Sequence, residues 1–498
     1  MPNFVPPSAL KPLLARIAPL ARDAGVEAYV VGGAVRDALL GRDVHDLDLA
    51  VDRAAMAFAQ QLAGALGGHF VPLDEENAVA RVVLDDGPLR TVDVAELQGT
   101  LDEDLRRRDF TVDAMAVPLE GGEVIDPLGG LDDLSRRLVR MTSDTVLDAD
   151  ALRLLRGVRI AAELAFDIEP ATAAAIHRRA AAVLEASPER QRDEVARIFA
   201  LEDVYGALRT LDALGLLDVL LPEVAAGKGV AQPEQFHAYD VFEHAMRAVE
   251  SLDMMLRAEA PADDGWLWAD VWDAFGSLAG VLRTYFGEEL TPGRSRRALV
   301  KLAGLLHDVA KPQTRRIEAD GRVRFFGHAD LGGRVAAAVL RRLRFSSREV
   351  RFVALLVTEH LRPVQLAHAG EAPTRRALYR FWRDLGDAAP GVVFLALADA
   401  AGARGPGLTH ESWSRQARYM NSVLVRSYGD EGIVHAPRLL SGRDIMTALG
   451  LAEGPAIGRL LSALDEAQAA GEVTGTEGAL AFVRELAEAE NITDGRKR

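Results

Sequence analysis

Strand-forming sequence in this 498-residue chain is confined to one stretch, about 27–140. There, β-branched runs such as Tyr29-Val30-Val31, Ala80-Arg81-Val82-Val83-Leu84 and Thr91-Val92-Asp93-Val94 alternate with Gly and Asp turns, the pattern of short strands. From about 141 onward Ala, Leu and Arg dominate, residues that favour helix. Apolar positions there recur at helical spacing, as in Leu152, Leu155 and Val158. The expected fold class is therefore α+β, an N-terminal mixed α/β head followed by mainly α-helical domains. At roughly 150 residues per domain, the length suggests about three of them. Breaks fall at Gly227–Gln235, at an acidic loop over 258–265, at Gly402–Gly407 and at the Gly454-Pro455 turn.

Composition removes several classes. Asp+Glu is 74 against Lys+Arg 58, a net charge of −16, so any nucleic-acid work needs a local basic strip or metal ions. With no cysteine, disulfides, thiolate zinc sites and Cys nucleophiles are excluded. No stretch reaches about 18 uninterrupted apolar residues, so no membrane span is expected. The first 25 residues lack a compact apolar segment with a cleavage site, and the expected location is cytoplasmic.

Two constellations carry chemistry. The first reads strand, Gly-Gly turn, helix over Tyr29 to Gly41, with Gly32-Gly33 at the turn. Such a turn lets backbone N–H groups approach an anion. His45-Asp46-Leu47-Asp48 follows, and alternation along a strand puts Asp46 and Asp48 on one face. Paired carboxylates repel unless a cation lies between them, and Mg²⁺ prefers such oxygen ligands together with substrate phosphates. Asp93, on a later strand, is the natural third carboxylate; an ordinary strand-end Asp is the equal alternative.

Gly32-Gly33, Arg36-Asp37 and Asp46/Asp48 resemble the head of the class II tRNA nucleotidyltransferase and bacterial poly(A) polymerase family. Further stretches follow that family's order: Arg107-Arg108-Asp109-Phe110-Thr111, Asp126-Pro127-Leu128-Gly129-Gly130, Asp150-Ala151-Leu152-Arg153, and Glu189-Arg190 with Glu194. The resemblance covers about 25–225. It implies in-line attack of an RNA 3′-hydroxyl on the α-phosphorus of CTP or ATP, with two Mg²⁺ on Asp46 and Asp48. It also implies that Arg107, Arg108 and Asp109 hold phosphates and ribose, and that Asp150 and Arg153, three apart on a helix, read a base edge. Glu189, Arg190 and Glu194 would be struts that aim this helix, on which Arg156 and Arg159 complete the nucleotide-binding set. Two positions depart from the family: Asp113, usually Asn, adds charge near the triphosphate, and Ala149, usually Glu, removes one strut.

The second constellation is histidine and aspartate. His244 follows Asp240-Val241-Phe242-Glu243, His307-Asp308 ends an apolar helix before Lys311-Pro312, His328 and His360 come later, and Asp399 lies in an apolar run. Imidazoles and carboxylates converging from separate helices hold divalent metal. The series resembles the HD phosphohydrolase superfamily over about 236–402. That implies a metal, Mg²⁺ or a divalent transition ion, on His244, His307, Asp308 and Asp399, with His328 and His360 adding a second. The long gap between His244 and His307, with Trp266, Trp268 and Trp272, reads as a helical insertion. The tail, with Leu440-Ser441-Gly442-Arg443-Asp444, Leu449-Gly450-Leu451 and Gly454-Pro455-Ala456-Ile457-Gly458, resembles the family's C-terminal RNA-binding part.

The expected division is a head at 1–140, a neck at 141–226, an HD domain at 227–405 with an insertion at about 251–299, and a tail at 406–498. The leading expectation is a CCA-adding tRNA nucleotidyltransferase that also hydrolyses phosphoesters, with CTP, ATP and the tRNA 3′ end and acceptor arm as partners. The alternatives are a poly(A) polymerase, an enzyme adding only A or only CC, and a phosphohydrolase whose head only binds RNA; a purely structural RNA-binding protein is the remaining reading. Since the chain is acidic, a basic strip is expected from Arg106, Arg107, Arg108, Arg153, Arg156, Arg159, Arg178 and Arg179.

Overall fold

The structure, a computed structural model, describes residues 4–8, 10–85, 89–235, 237–260, 265–366, 373–428, 437–490 and 492. It divides into two compact units, one of residues 1–195 with 209–220 and the other of 196–208 with 221–498. Residues 261–264 of the expected acidic loop lie outside the described set.

The first unit is built on a six-stranded sheet. Its strands are β1 (Ala28–Val31), β2 (Asp46–Val51), β3 (His69–Asp74), β4 (Val79–Val83), β5 (Thr91–Glu96) and β6 (Ala116–Pro118), in the order β3-β4-β5-β2-β1-β6. Only β2 and β5 pair in parallel; the other neighbours are antiparallel. Alternation sets the faces. Leu47, Leu49 and Val51 of β2 and Val92 and Val94 of β5 are buried, leaving Asp46, Asp48 and Asp93 at the intervening positions. Helix Ala55–Leu66 packs against β3, β4 and β5 and buries Phe58, Ala59 and Leu62. Each large apolar side chain so buried contributes roughly 1.5–3 kcal/mol. Helix Arg153–Leu164 buries Leu154, Leu155, Val158 and Ile160, as its spacing predicts.

The second unit is helical, with two short two-stranded hairpins. Helices Val241–Met255, Arg296–Leu306 and Ala389–Arg404 pack together, and the insertion helix Trp266–Phe275 lays Trp272 and Phe275 on Phe394 of the last. Arg375–Gly407 is long and apolar enough to cross a bilayer by composition, which reading for uninterrupted apolar runs did not anticipate. It is two helices broken at Gly386, and 78% of its apolar window is buried inside the structure, as befits core helices.

The tail motifs are helix boundaries. Ser441 and Asp444 form a reciprocal capping box, Gly450 ends that helix with φ +67°, and Pro455 occupies the first turn of the next.

Candidate functional sites

The head site starts from register. Asp48 lies opposite Val31 of β1 and opposite Asp93 of β5, and Asp46 opposite Thr91, whose hydroxyl donates to Asp46 Oδ1 at 2.7 Å. The Gly-Gly turn follows β1 directly. Gly32 has φ +70°, and a Cβ there would lie 3.0 Å from Arg108 Nη1 and 3.3 Å from Asp48 Oδ2. Both the backbone and the close approach of these side chains therefore require glycine. Burial pushes the Asp48 carboxyl up to about 6; Arg108 opposes this, and Asp93, Asp113 and Asp46 add to it.

Asp93 stands beside Asp48 but is already gripped by the Arg81 fork, at 2.7 and 2.8 Å. Among the described residues, the sets of three or more acidic or histidine side chains with ligand atoms within 4.8 Å of one another do not include Asp46, Asp48 and Asp93.

Arg36 is buried, donating to both Asp37 oxygens at 2.9 and 3.0 Å and to Asp113 Oδ1 at 2.7 Å. The departure at Asp113 thus has a local partner. Asp113 is pushed up by burial while Arg36 holds it down, so the pair meets the expected extra charge internally. Asp109 is also buried and paired, to Arg156 Nε at 2.6 Å. Burial would raise its carboxyl, yet Arg156 and Arg153 hold it below the ordinary value. Arg107 turns to Gln98 and Asp104, while Arg108 faces Asp48. Asp126 caps helix Gly130–Arg136, accepting from the Gly130 and Leu131 amides at 2.8 and 2.9 Å.

The expectation that Asp150 and Arg153 share a helix face is corrected. Asp150 is extended, with φ −155° and ψ 111°, and the helix begins at Arg153. The Asp150 side chain accepts the Leu152 amide at 3.1 Å, so Asp behaves here as the stop-and-start residue between two helices. Arg153 Nη1 donates to Val146 O at 3.0 Å. Arg190 grips Asp150 with two bonds, at 3.1 and 2.7 Å, and Glu194 accepts from Arg159 at 2.7 Å. Glu189 lies one residue before Arg190 in the first turn of helix Pro188–Ala200.

Several arginines of the expected basic strip have local carboxylate partners. Arg106 pairs with Asp102, Arg156 with Asp109, Arg159 with Glu163 and Glu194, and Arg179 with Asp148. In so acidic a chain, carboxylates stand within reach of most arginines. An open cleft of ≈ 610 Å³ runs from the Gly33 turn past Asp46 and Asp48 to Arg159 and Glu163.

In the helical unit the histidines and aspartates converge. His244 comes from the first turn of helix Val241–Met255, capped by Asp240; His307 and His360 end helices Arg296–Leu306 and Ser347–Glu359; His328 opens helix His328–Arg342; Asp399 lies within Ala389–Arg404. A Cβ at Gly402 would sit 3.0 Å from Ala248 N and 3.2 Å from His244 O, so glycine lets the Asp399 helix close onto the His244 helix. The Nε2 atoms of His244 and His307 face each other at 3.0 Å. His244 Nε2 is 3.2 Å from Asp308 Oδ2 and 3.1 Å from Asp399 Oδ1. His328 Nε2 lies 3.4 Å from Asp308 Oδ1, and His360 Nε2 4.0 Å. These form two sets sharing Asp308: His244, His307, Asp308, Asp399, and Asp308, His328, His360.

Three of the four imidazoles are oriented alike. Nδ1 of His307, His328 and His360 lies 2.7–2.8 Å from the carbonyl three residues earlier, which assigns the proton to Nδ1 and aims Nε2 inward. His328 Nε2 is buried without a hydrogen-bond partner. His307 is opposed by burial but raised to about 10 by Asp308 and Asp399, and Asp399, despite burial, is held well below the carboxylate range by His244 and His307. A buried His/Asp set with its Nε2 atoms aimed inward and an orphaned ring nitrogen on His328 fits a divalent cation.

Sequence reading missed three neighbours. Lys311 Nζ lies 2.6 Å from Asp308 Oδ2 and donates to Gln232 Oε1 at 2.7 Å. His237 stands edge-on to His244 at 5.0 Å, and burial lowers it to about 4. Lys311, three residues after Asp308 across a helix end, carried a spacing signal; His237 and Gln232, in a loop, carried none.

Three stretches of the chain match known families. Residues 28–140 match the poly A polymerase head domain, 165–228 the probable RNA and SrmB-binding site of polymerase A, and 271–403 the HD domain. The HD match begins after His244. The A-adding tRNA nucleotidyltransferase of Deinococcus radiodurans is 39% identical over 468 residues, 93% of this chain and 96% of that protein. The CC-adding tRNA nucleotidyltransferase of Thermus thermophilus is 38% identical over 464 residues, 92% and 93%. A solved CCA-adding enzyme complexed with CTP shares the fold, with a TM-score of 0.62 at 18% identity, covering 98% of this chain and 96% of that one. Fold and sites together define a nucleotidyltransferase head joined to an HD domain. The chain belongs to the tRNA nucleotidyltransferase and poly(A) polymerase family.

Proposed function

We propose that the head adds C and A to the 3′ end of tRNA from CTP and ATP, releasing pyrophosphate, at Asp46 and Asp48. The observation that carries this reading is the placement of these two carboxylates on one face of β2, with Asp48 directly under Gly32. The residues fit Mg²⁺: oxygen donors on one face of a strand, one of them raised to about 6 chiefly by burial. When bound, such ions activate the attacking hydroxyl and stabilise the pyrophosphate leaving group. The protein's own groups do the rest. Gly32 opens the backbone to the nucleotide, Arg108 sets a cation beside Asp48, and the Arg190–Asp150 and Glu194–Arg159 pairs hold the residues that line base and ribose. On this reading the head spans 1–140, the neck 141–226, the HD domain 227–405 with its insertion at about 251–299, and the tail 406–498.

The His/Asp centre in this reading holds one divalent ion on His244, His307, Asp308 and Asp399 and a second on Asp308, His328 and His360, either Mg²⁺ or a transition metal. Such a centre supplies an activated water for phosphoester hydrolysis. Lys311 then faces the phosphoryl charge. With tRNA, CTP and ATP as substrates, the location is cytoplasmic.

The test is purified protein with tRNA ending at the discriminator base, and each labelled NTP singly and mixed. Two C from CTP alone and a completed CCA from CTP with ATP are expected. The full-length relatives above are named A-adding and CC-adding, so C and A are scored separately; a poly(A) ladder, or C or A alone, overturns the CCA assignment.

A further inference from the structure

Three arginines line the head cleft together with five carboxylates: Arg36, Arg42 and Arg159. Two are spent. Arg36 is held by Asp37 and Asp113 at 2.7–3.0 Å, and Arg159 by Glu163 and Glu194 at 2.8 and 2.7 Å. Arg42 differs. Its guanidinium approaches Asp37 only to 3.7 Å and Glu163 only to 3.8 Å, and its side chain is 43% exposed. Those carboxylates are already engaged, Asp37 by both arms of Arg36 and Glu163 by Arg159.

The backbone of Arg42 is nevertheless fixed. Its amide donates to Asp37 O at 2.8 Å, folding the chain back after the helix, and Nη1 donates to Glu163 O at 3.1 Å. A positioned, half-exposed fork whose two ion pairs are long, in the cleft that holds Asp46, Asp48 and the Gly33 turn, is suited to exchanging them for a polyphosphate.

We propose that Arg42 is a triphosphate-binding residue of the transferase cleft, closing its fork on the β- and γ-phosphoryl oxygens of the incoming nucleotide. This rests on the transferase reading, which incorporation by the wild-type protein tests independently. The clamp acts on the part of the nucleotide common to CTP and ATP, so it serves both additions equally. It also touches the group that leaves as pyrophosphate.

The experiment compares Arg42→Gln, which keeps a donor for Glu163 O but removes the charge, with Arg42→Lys, which keeps the charge but not the fork. Steady-state kinetics are measured for CTP, ATP and tRNA, with inhibition by inorganic pyrophosphate. In Arg42→Gln, KM for CTP and ATP should rise together by about tenfold or more with kcat within about threefold, as for lost uniform binding. The pyrophosphate inhibition constant should rise in parallel, KM for tRNA should stay unchanged, and Lys should restore part of the loss. Pyrophosphate carries neither base nor ribose, so unchanged pyrophosphate inhibition overturns the proposal. A rise in tRNA KM without one for NTP overturns it in favour of an RNA contact. Loss of folding in a thermal melt that Lys does not repair overturns it in favour of a structural role.

Discussion

On the proposed reading, Asp48 concentrates the chemistry of the head in one side chain. It is half-buried beneath Gly32 and pushed up to about 6, so as pH falls through that value it takes a proton and would cease to hold a metal ion. Incorporation should therefore fall on the acid side with an apparent pKa near 6. Raising Mg²⁺ should move that limb lower, because cation and proton compete for one carboxylate. A pH–rate profile at two Mg²⁺ concentrations checks both points, and a limb that ignores Mg²⁺ refutes the assignment. Asp46→Ala or Asp48→Ala should lower incorporation ~10³-fold or more while the melt is retained. Asp113 is the contrasting case: the charge that looked troublesome in sequence is met by Arg36 at 2.7 Å.

Helix ends and helix–helix contacts decide the next scale. The grip of Arg190 on Asp150 joins the start of helix Pro188–Ala200 to the turn preceding helix Arg153–Leu164. Arg190→Met should release Asp150 and degrade discrimination against UTP and GTP more than it lowers the rate with the correct nucleotide; misincorporation ratios measure this. In the helical unit, Lys301 is buried against Asp253 at 2.8 Å, and Asp253 also accepts the Tyr205 amide at 2.7 Å. Removing either charge alone strands the other, a cost of about 3–5 kcal/mol, whereas Asp253→Asn with Lys301→Met should be far milder. The sign with pH follows from burial, which pushes Asp253 from 3.8 up to about 6 against the pull of Lys301. Between those values the native protein holds more protons than the unfolded chain, so this carboxyl's contribution to stability is lost as pH rises from about 4 to 6. Urea melts should show the double variant gaining on wild type across that window.

At the scale of the whole molecule, the two candidate sites belong to different compact units, the carboxylate edge to one and the His/Asp centre to the other. His307→Ala with Asp308→Ala should remove bound divalent metal and phosphoester hydrolysis while nucleotide addition stays within a few-fold. Metal analysis, a melt and both assays on that one variant separate this from a metal that merely staples the helices, which would cost both activities and the melt together. The acidity of the chain acts at this scale too. At −16 it surrounds most of the expected basic strip with carboxylates, so RNA affinity should fall steeply with added salt only if arginines exchange these internal partners for phosphate.

Local pattern alone was enough for the mixed head and for the strand placing Asp46 and Asp48 on one face. Strand alternation and helical spacing are properties of neighbouring residues, and they survive whatever the rest of the chain does. The His/Asp set was legible through its ordered resemblance to the HD superfamily, in a chain with few histidines. Tertiary structure decided everything that depends on partners far apart in sequence. It paired Arg36 with Asp113 and Arg156 with Asp109, gave Asp93 to Arg81, and left Arg42 as the cleft arginine whose ion pairs are long, 3.7 and 3.8 Å. It also ended a helix at Asp150, where spacing alone suggested continuity, because a side chain that can accept its own neighbour's amide competes with the helix ladder. Charge pairing is a matter of which groups folding brings within about 4 Å, and no local pattern encodes that distance.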